Sequence, residues 1–160
     1  MATVTLTFTD TDVGNELFSM DYKIAGDQSR DGRYTGAHII GAFLNVKMQT
    51  GSLVLDTDDY IARKKISTHG AGPDDAVTAI MTFTDTNIER GEYKCDVQIV
   101  KPIVPPFYTA VLATIECIQE LLRLPAFLND AWAYAEMLAS GNPGASVTTE
   151  RPQTNTAYAA

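Results

Sequence analysis

The chain states one motif twice. Leu6-Thr7-Phe8-Thr9-Asp10-Thr11 returns 75 residues later as Met81-Thr82-Phe83-Thr84-Asp85-Thr86. Downstream, Phe18, Met20, Tyr22 and Ile24 align without a gap on Tyr93, Cys95, Val97 and Ile99. A helix-like stretch then opens in each half, at Tyr34-Thr35 and at Tyr108-Thr109. Self-similarity of this kind marks a duplicated structural unit. A unit of roughly 50 residues buries too little apolar surface to stand alone, so the two copies are expected to share one core.

Local patterns give each copy the same shape. Thr3, Thr5, Thr7 and Thr9 alternate with Val4, Leu6 and Phe8, the period-two signature of a strand with one buried face. The run Asp10-Thr-Asp-Val-Gly-Asn predicts a turn, and residues 16–24 return as a second strand with Phe18, Met20, Tyr22 and Ile24 inward. After a polar loop from Gly26 to Arg33, the spacing of Ile39, Ile40, Phe43, Leu44 and Met48 predicts a helix over 34–49. Thr35 is placed to cap it and Gly51 to stop it. The second copy reads as strands over 77–84 and 92–100, a Lys101–Pro106 connection stiffened by three prolines, and a helix from Phe107 to Arg123. Between the copies, Leu53-Val54-Leu55 suggests a short strand, Asp56–Lys65 a helical turn packing Tyr60 and Ile61, and Thr68–Asp75 a linker. Pro125 breaks the second copy's helix, and residues 126–140 form a further one, with Phe127, Leu128, Trp132, Tyr134 and Leu138, that has no counterpart in the first copy.

The expected fold class is therefore α+β: a tandem ββα duplication with a four-stranded, mainly antiparallel sheet and helices on one face. Residues 1–140 form one domain, with repeats over about 3–50 and 77–123 and a capping helix over 126–140. Residues 141–160 are too polar to pack a core and form an extended tail. That tail reads either as disordered or as an arm that orders on a neighbouring subunit, with Arg151 and Tyr158 as its partner-binding residues. The free sheet face would carry the four threonines of the first strand with Ser19, Asp21, Lys23, Lys94, Asp96 and Gln98, a polar surface facing water or a wet interface.

Composition narrows the partners. A net charge of −8 and a pI near 4.6 oppose binding to a nucleic-acid backbone and leave a basic protein surface open. No apolar run approaches the roughly 20 residues that span a bilayer, and the threonine-rich start does not read as a signal peptide. Synthesis in the cytoplasm is the expectation.

Sites for chemistry are weak. Asp10, Asp12, Gly14 and Glu16 imitate a calcium loop, but the spacing fails and Asn87 replaces Asp12 in the second copy. The repeated Thr-Asp-Thr reads instead as an Asx-type turn fixing each hairpin. Asp56, Asp58 and Asp59 beside Arg63, Lys64 and Lys65 read as a solvated helical face with opposite-charge pairing, or else a binding epitope. His38 aligns with Leu112 and reads as a core-edge residue; His69 lies in the linker. Cys95 and Cys117 read as small core residues without a disulfide. No cofactor and no metal is expected.

The opening Leu-Thr-Phe-Thr-Asp-Thr-Asp with its following Gly14, a second strand, and a helix starting near Thr35-Gly36-Ala37-His38 resembles a type of small protein encoded in tailed-bacteriophage and prophage genomes. The likeness covers about residues 3–48 and, more loosely, 78–123; the duplication and the long tail depart from the type. It implies a phage-encoded protein and transfers no functional residue. With it, the expected function is a non-enzymatic virion component or capsid decoration protein. Its partners would be other phage structural proteins or itself, with no nucleic acid and no membrane, and its final location the virion. The alternative is an acidic phage protein that binds and inhibits a host factor. A hydrolase or nuclease using Asp10, Asp12 and Asp85 is the third reading.

Overall fold

The computed structural model describes residues 1–26, 33–68, 70–100, 108–141 and 146–147. Residues 27–32 of the predicted loop Gly26–Arg33, the whole Lys101–Pro106 connection, the expected helix start Phe107, His69, Arg151 and Tyr158 lie outside the described residues. In chain order the elements are β1 (Ala2–Asp12), β2 (Leu17–Gly26), β3 (Arg33–Tyr34), α1 (Gly36–Gln49), α2 (Ser52–Lys64), β4 (Thr78–Asn87), β5 (Glu92–Ile99), α3 (Ala110–Leu121), α4 (Pro125–Ser140) and β6 (Ser146–Val147). The expected class holds: a four-stranded antiparallel sheet, ordered β2-β1-β4-β5, with its helices on one face.

Alternation is as regular as the sequence demands. Along β1 and β4 every second side chain is buried, and Val4, Leu6, Phe8, Ala79, Met81 and Phe83 are fully so. The two repeats meet along β1 and β4, where Leu6 pairs with Met81, its own counterpart in the duplication. A pseudo-two-fold axis therefore passes through that pair. Phe8 sits opposite Ala79 while Phe83 sits opposite Val4, so each large ring faces a smaller residue across the seam. The rings repeat too: Phe8 lies 6.3 Å from Phe18, and Phe83 lies 6.0 Å from Tyr93. Each hairpin is bulged at the same step, between Asp10 and Asp12 and between Asp85 and Asn87. Each then turns through a left-handed residue, Glu16 at φ 58° and Gly91 at φ 65°.

Both main helices start on a threonine cap. Thr35 Oγ1 accepts from the His38 N–H and Thr109 Oγ1 from the Leu112 N–H, both at 3.4 Å. The sheet leaves little room beneath α1. A Cβ on Gly41 would drive into the Val4 side chain, and one on Gly36 into the Gly91 carbonyl.

The middle of the chain corrects the sequence reading. Leu53-Val54-Leu55 is not a strand but the first turn of α2, because Leu53, Thr57 and Tyr60 form the buried stripe and Leu55 points to solvent at 70% exposure. Gly51, at φ 81°, does not merely stop α1; it starts α2. The last helix has a counterpart after all, since α2 follows α1 as α4 follows α3. The packing is crosswise: α2 lies against α3 of the second repeat, and α4 lies against α1 of the first. The linker holds a short helical turn at Pro73–Asp75. At the start of the tail, Ser146 and Val147 pair in parallel with Arg33 and Tyr34 of the same chain.

Candidate interaction surface

The repeated aspartates are the first test of any chemistry. Both are buried, Asp10 at 7% exposure and Asp85 at 3%. Asp85 accepts from the Ala2 N–H at 2.7 Å and from the Ala37 N–H at 2.8 Å. Asp10 accepts from the Val77 N–H at 2.9 Å and from the Val111 N–H at 3.2 Å. Ala2 opens β1 and Val77, its equivalent in the duplication, directly precedes β4, while Ala37 and Val111 both lie in the first turns of the two main helices. Each carboxylate thus holds a strand and a helix of the opposite repeat. Orphan N–H groups at a helix start favour an anionic acceptor, which explains the residue type.

The Asx-turn reading of Asp10 and Asp85 is therefore corrected. That work falls two residues later, where Asp12 accepts from the Asn15 backbone at 3.2 Å and Asn87 from the Arg90 backbone at 3.2 Å. Hydrogen bonds from Asn15 hold the exposed Asp12 carboxyl below the usual range. Asp10 and Asp85 also stand at opposite ends of the β1–β4 seam, roughly 25 Å apart at about 3.3 Å per residue. They do not converge with Asp12 on one site. Glu16 instead accepts from the Thr68 hydroxyl and ties the first turn to the linker. Among the described residues no three His, Cys, Asp or Glu side chains converge to hold a metal ion.

The remaining sequence candidates make contacts within the fold. The charge run lies on α2, where Arg63 reaches Asp59 and, across to α3, Glu120, each at 2.8 Å. Lys47 of α1 meets Asp56 at 2.7 Å, so the run also ties three helices together. Cys95 and Cys117 are buried and unpaired, and burial pushes both thiols up to about 12.

His38 is half-buried against Tyr34, with ring centroids 4.9 Å apart, and its Nδ1 has no hydrogen-bond partner among the described residues. Burial holds its pKa below the ordinary 6.5, outweighing the pull of nearby Asp85. Between the depressed folded value and 6.5 the unfolded chain binds more protons, so stability is lost as pH falls through that window. His38→Leu, which copies Leu112 of the second repeat, is expected to remove this acid-side loss. Thermal midpoints at about pH 5 and about pH 7.5 check it: the gap between them should narrow in the variant.

The outer face of the sheet is exposed as well. The central strands present Thr3, Thr5, Thr7 and Thr9 beside Thr84, Thr82, Ile80 and Thr78, all partly exposed. The edge strands add Asp21 and Lys23 on β2 and Lys94 and Asp96 on β5, as expected from the sequence. On each edge the two charges pair loosely along the strand, Lys23–Asp21 at 3.8 Å and Lys94–Asp96 at 3.6 Å. Charged edges discourage uncontrolled strand pairing. Threonine presents both a methyl and a hydroxyl, so the face is amphipathic at every central position but one.

The architecture is that of a tandem α+β repeat with reciprocal packing. The chain matches no protein-family model, no curated protein and no solved structure.

Proposed function

We propose that this protein is a non-enzymatic structural component of a bacteriophage particle, a virion or decoration protein that works by protein–protein contact through the outer face of its sheet. The observation that carries the reading is the fate of the charged groups. The two repeated carboxylates are consumed by backbone N–H groups inside the fold, while a broad threonine face bounded by charge stays open. The setting comes from the resemblance of the first hairpin and helix to phage-encoded proteins. The acidic net charge suits a basic protein partner better than nucleic acid.

Mass spectrometry of purified particles tests it. The protein is expected in stoichiometric amounts, and Thr82→Arg, at the centre of the face, is expected to remove it from the particle without lowering its melting temperature. Absence of the parent protein from particles, with recovery on a host protein in pull-downs, would replace this reading by host-factor binding.

A further inference from the structure

The outer face has a charge arrangement that selects one occupant. Lys23, Thr5, Thr82 and Asp96 pair in register across the four strands and form a single row, with opposite charges at its two ends. We infer that this face docks on a second copy of the chain, sheet to sheet, about a two-fold axis running parallel to the strands. This rests on the reading of the sheet face as a docking surface and names its partner.

Such an axis keeps every row at its own height and exchanges the edges. Lys23 then faces Asp96 of the second copy, and Asp96 faces its Lys23, so both charges at each end find opposites. The contact is isologous, the commonest symmetry of soluble oligomers. Between the charged ends, Thr5 faces Thr82 of the second copy and Ile80 faces its Thr7, so methyl groups supply apolar contact. Facing sheets pack about 10 Å apart with strands nearly aligned, which this geometry allows. An axis across the strands would set Lys23 against Asp21 of the second copy and leave Asp96 out of the pairing.

The size of the face sets the strength. Strands about 4.8 Å apart and about 3.3 Å per residue give a patch near 19 by 23 Å, or roughly 900 Å² over both copies. That lies at the small end of specific interfaces, so the dimer is weak and concentration-dependent. Rim charges steer and discriminate more than they bind, and like charges placed face to face are strongly disfavoured.

Sedimentation equilibrium of the full chain tests the inference. The parent is expected to dimerise reversibly, and more weakly at high salt. Lys23→Glu alone and Asp96→Lys alone should each raise the dimer Kd at least tenfold, because either change sets like charges face to face at both ends of the row. The first opposes two carboxylates there and the second two ammonium groups. An equimolar mixture of the two variants restores both opposite-charge pairs and should dimerise like the parent. Net charge alone predicts something else. Asp96→Lys brings the acidic chain closer to neutral and would then strengthen association. The inference is overturned if the parent stays monomeric, if Asp96→Lys leaves the dimer intact, or if the mixture fails to associate. A monomeric parent whose Thr82→Arg variant still leaves the particle would keep the docking face and give it another partner. A monomeric parent with Thr82→Arg still bound to particles would remove both readings.

Discussion

Asp85→Ala is expected to cost about 2–6 kcal/mol of folding stability, the sum of about 1–3 kcal/mol for each of two buried donors left without an acceptor. The stranded groups are the Ala2 and Ala37 N–H, at a strand start and in a helix start of the first repeat. A domain of this size holds about 5–15 kcal/mol in all, so the loss is large. Asp10→Ala should cost less, because its bonds to Val77 and Val111 are longer, 2.9 and 3.2 Å, and it is slightly more exposed. Asp85→Asn keeps one acceptor oxygen and is expected to lose about half as much as alanine. The two sites share no partner, so the double alanine variant should approach the sum and fail to fold at ordinary temperature. Urea denaturation measures each value.

Phe83→Ala is expected to cost about 3–5 kcal/mol, and Phe8→Ala about the same, as large-to-small changes in a closed core. Both rings are fully buried. Phe83 packs between Val4 across the seam and Cys95 in its own hairpin, with Tyr93 at 6.0 Å. Phe8 packs between Ala79 and Met20, with Phe18 at 6.3 Å. The cavity left by either change lies at the junction of the repeats, where neither half can close it alone. Phe83→Leu keeps most of the volume and should cost only about 1 kcal/mol. Thermal melts of the three variants check the order. A Phe83→Ala chain that melts with the parent would mean that the seam is not the shared core.

Much of this fold is legible because its signals are local. Alternation along Val4, Leu6 and Phe8 marks the buried strand face, and the cap read at Thr35 is the observed one, whereas the second main helix starts at Ala110, three residues later than its apolar pattern suggests. The repeat then implies that the halves share a core. The middle of the chain is opaque for a physical reason. The buried stripe of α2 is Leu53, Thr57 and Tyr60, and a buried threonine is a poor apolar signal. Thr57 is buried because its hydroxyl bonds to the Leu53 carbonyl at 2.9 Å and to the Thr114 hydroxyl at 3.3 Å, a partner invisible from sequence.

The aspartates stand out in the sequence, but their role does not. Their four donors lie between 48 and 101 residues away, so no window around Asp10 or Asp85 contains a partner. One clue is present. The duplication keeps Asp10 as Asp85 but lets Asp12 become Asn87. A turn needs only a short side-chain acceptor, which asparagine provides; capping two buried N–H groups uses both oxygens of a carboxylate. The polarity of the outer face is equally plain from alternation, but its row of opposite charges requires the register between strands.

The reciprocity of the two repeats is best tested by amide hydrogen exchange, followed by NMR in Asp10→Asn and Asp85→Asn. The predicted result is crossed: Asp85→Asn, which keeps one acceptor oxygen, loses protection at Ala2 or Ala37 in the first repeat, and Asp10→Asn loses it at Val77 or Val111 in the second. Loss confined to the hairpin that carries each substitution would contradict the account.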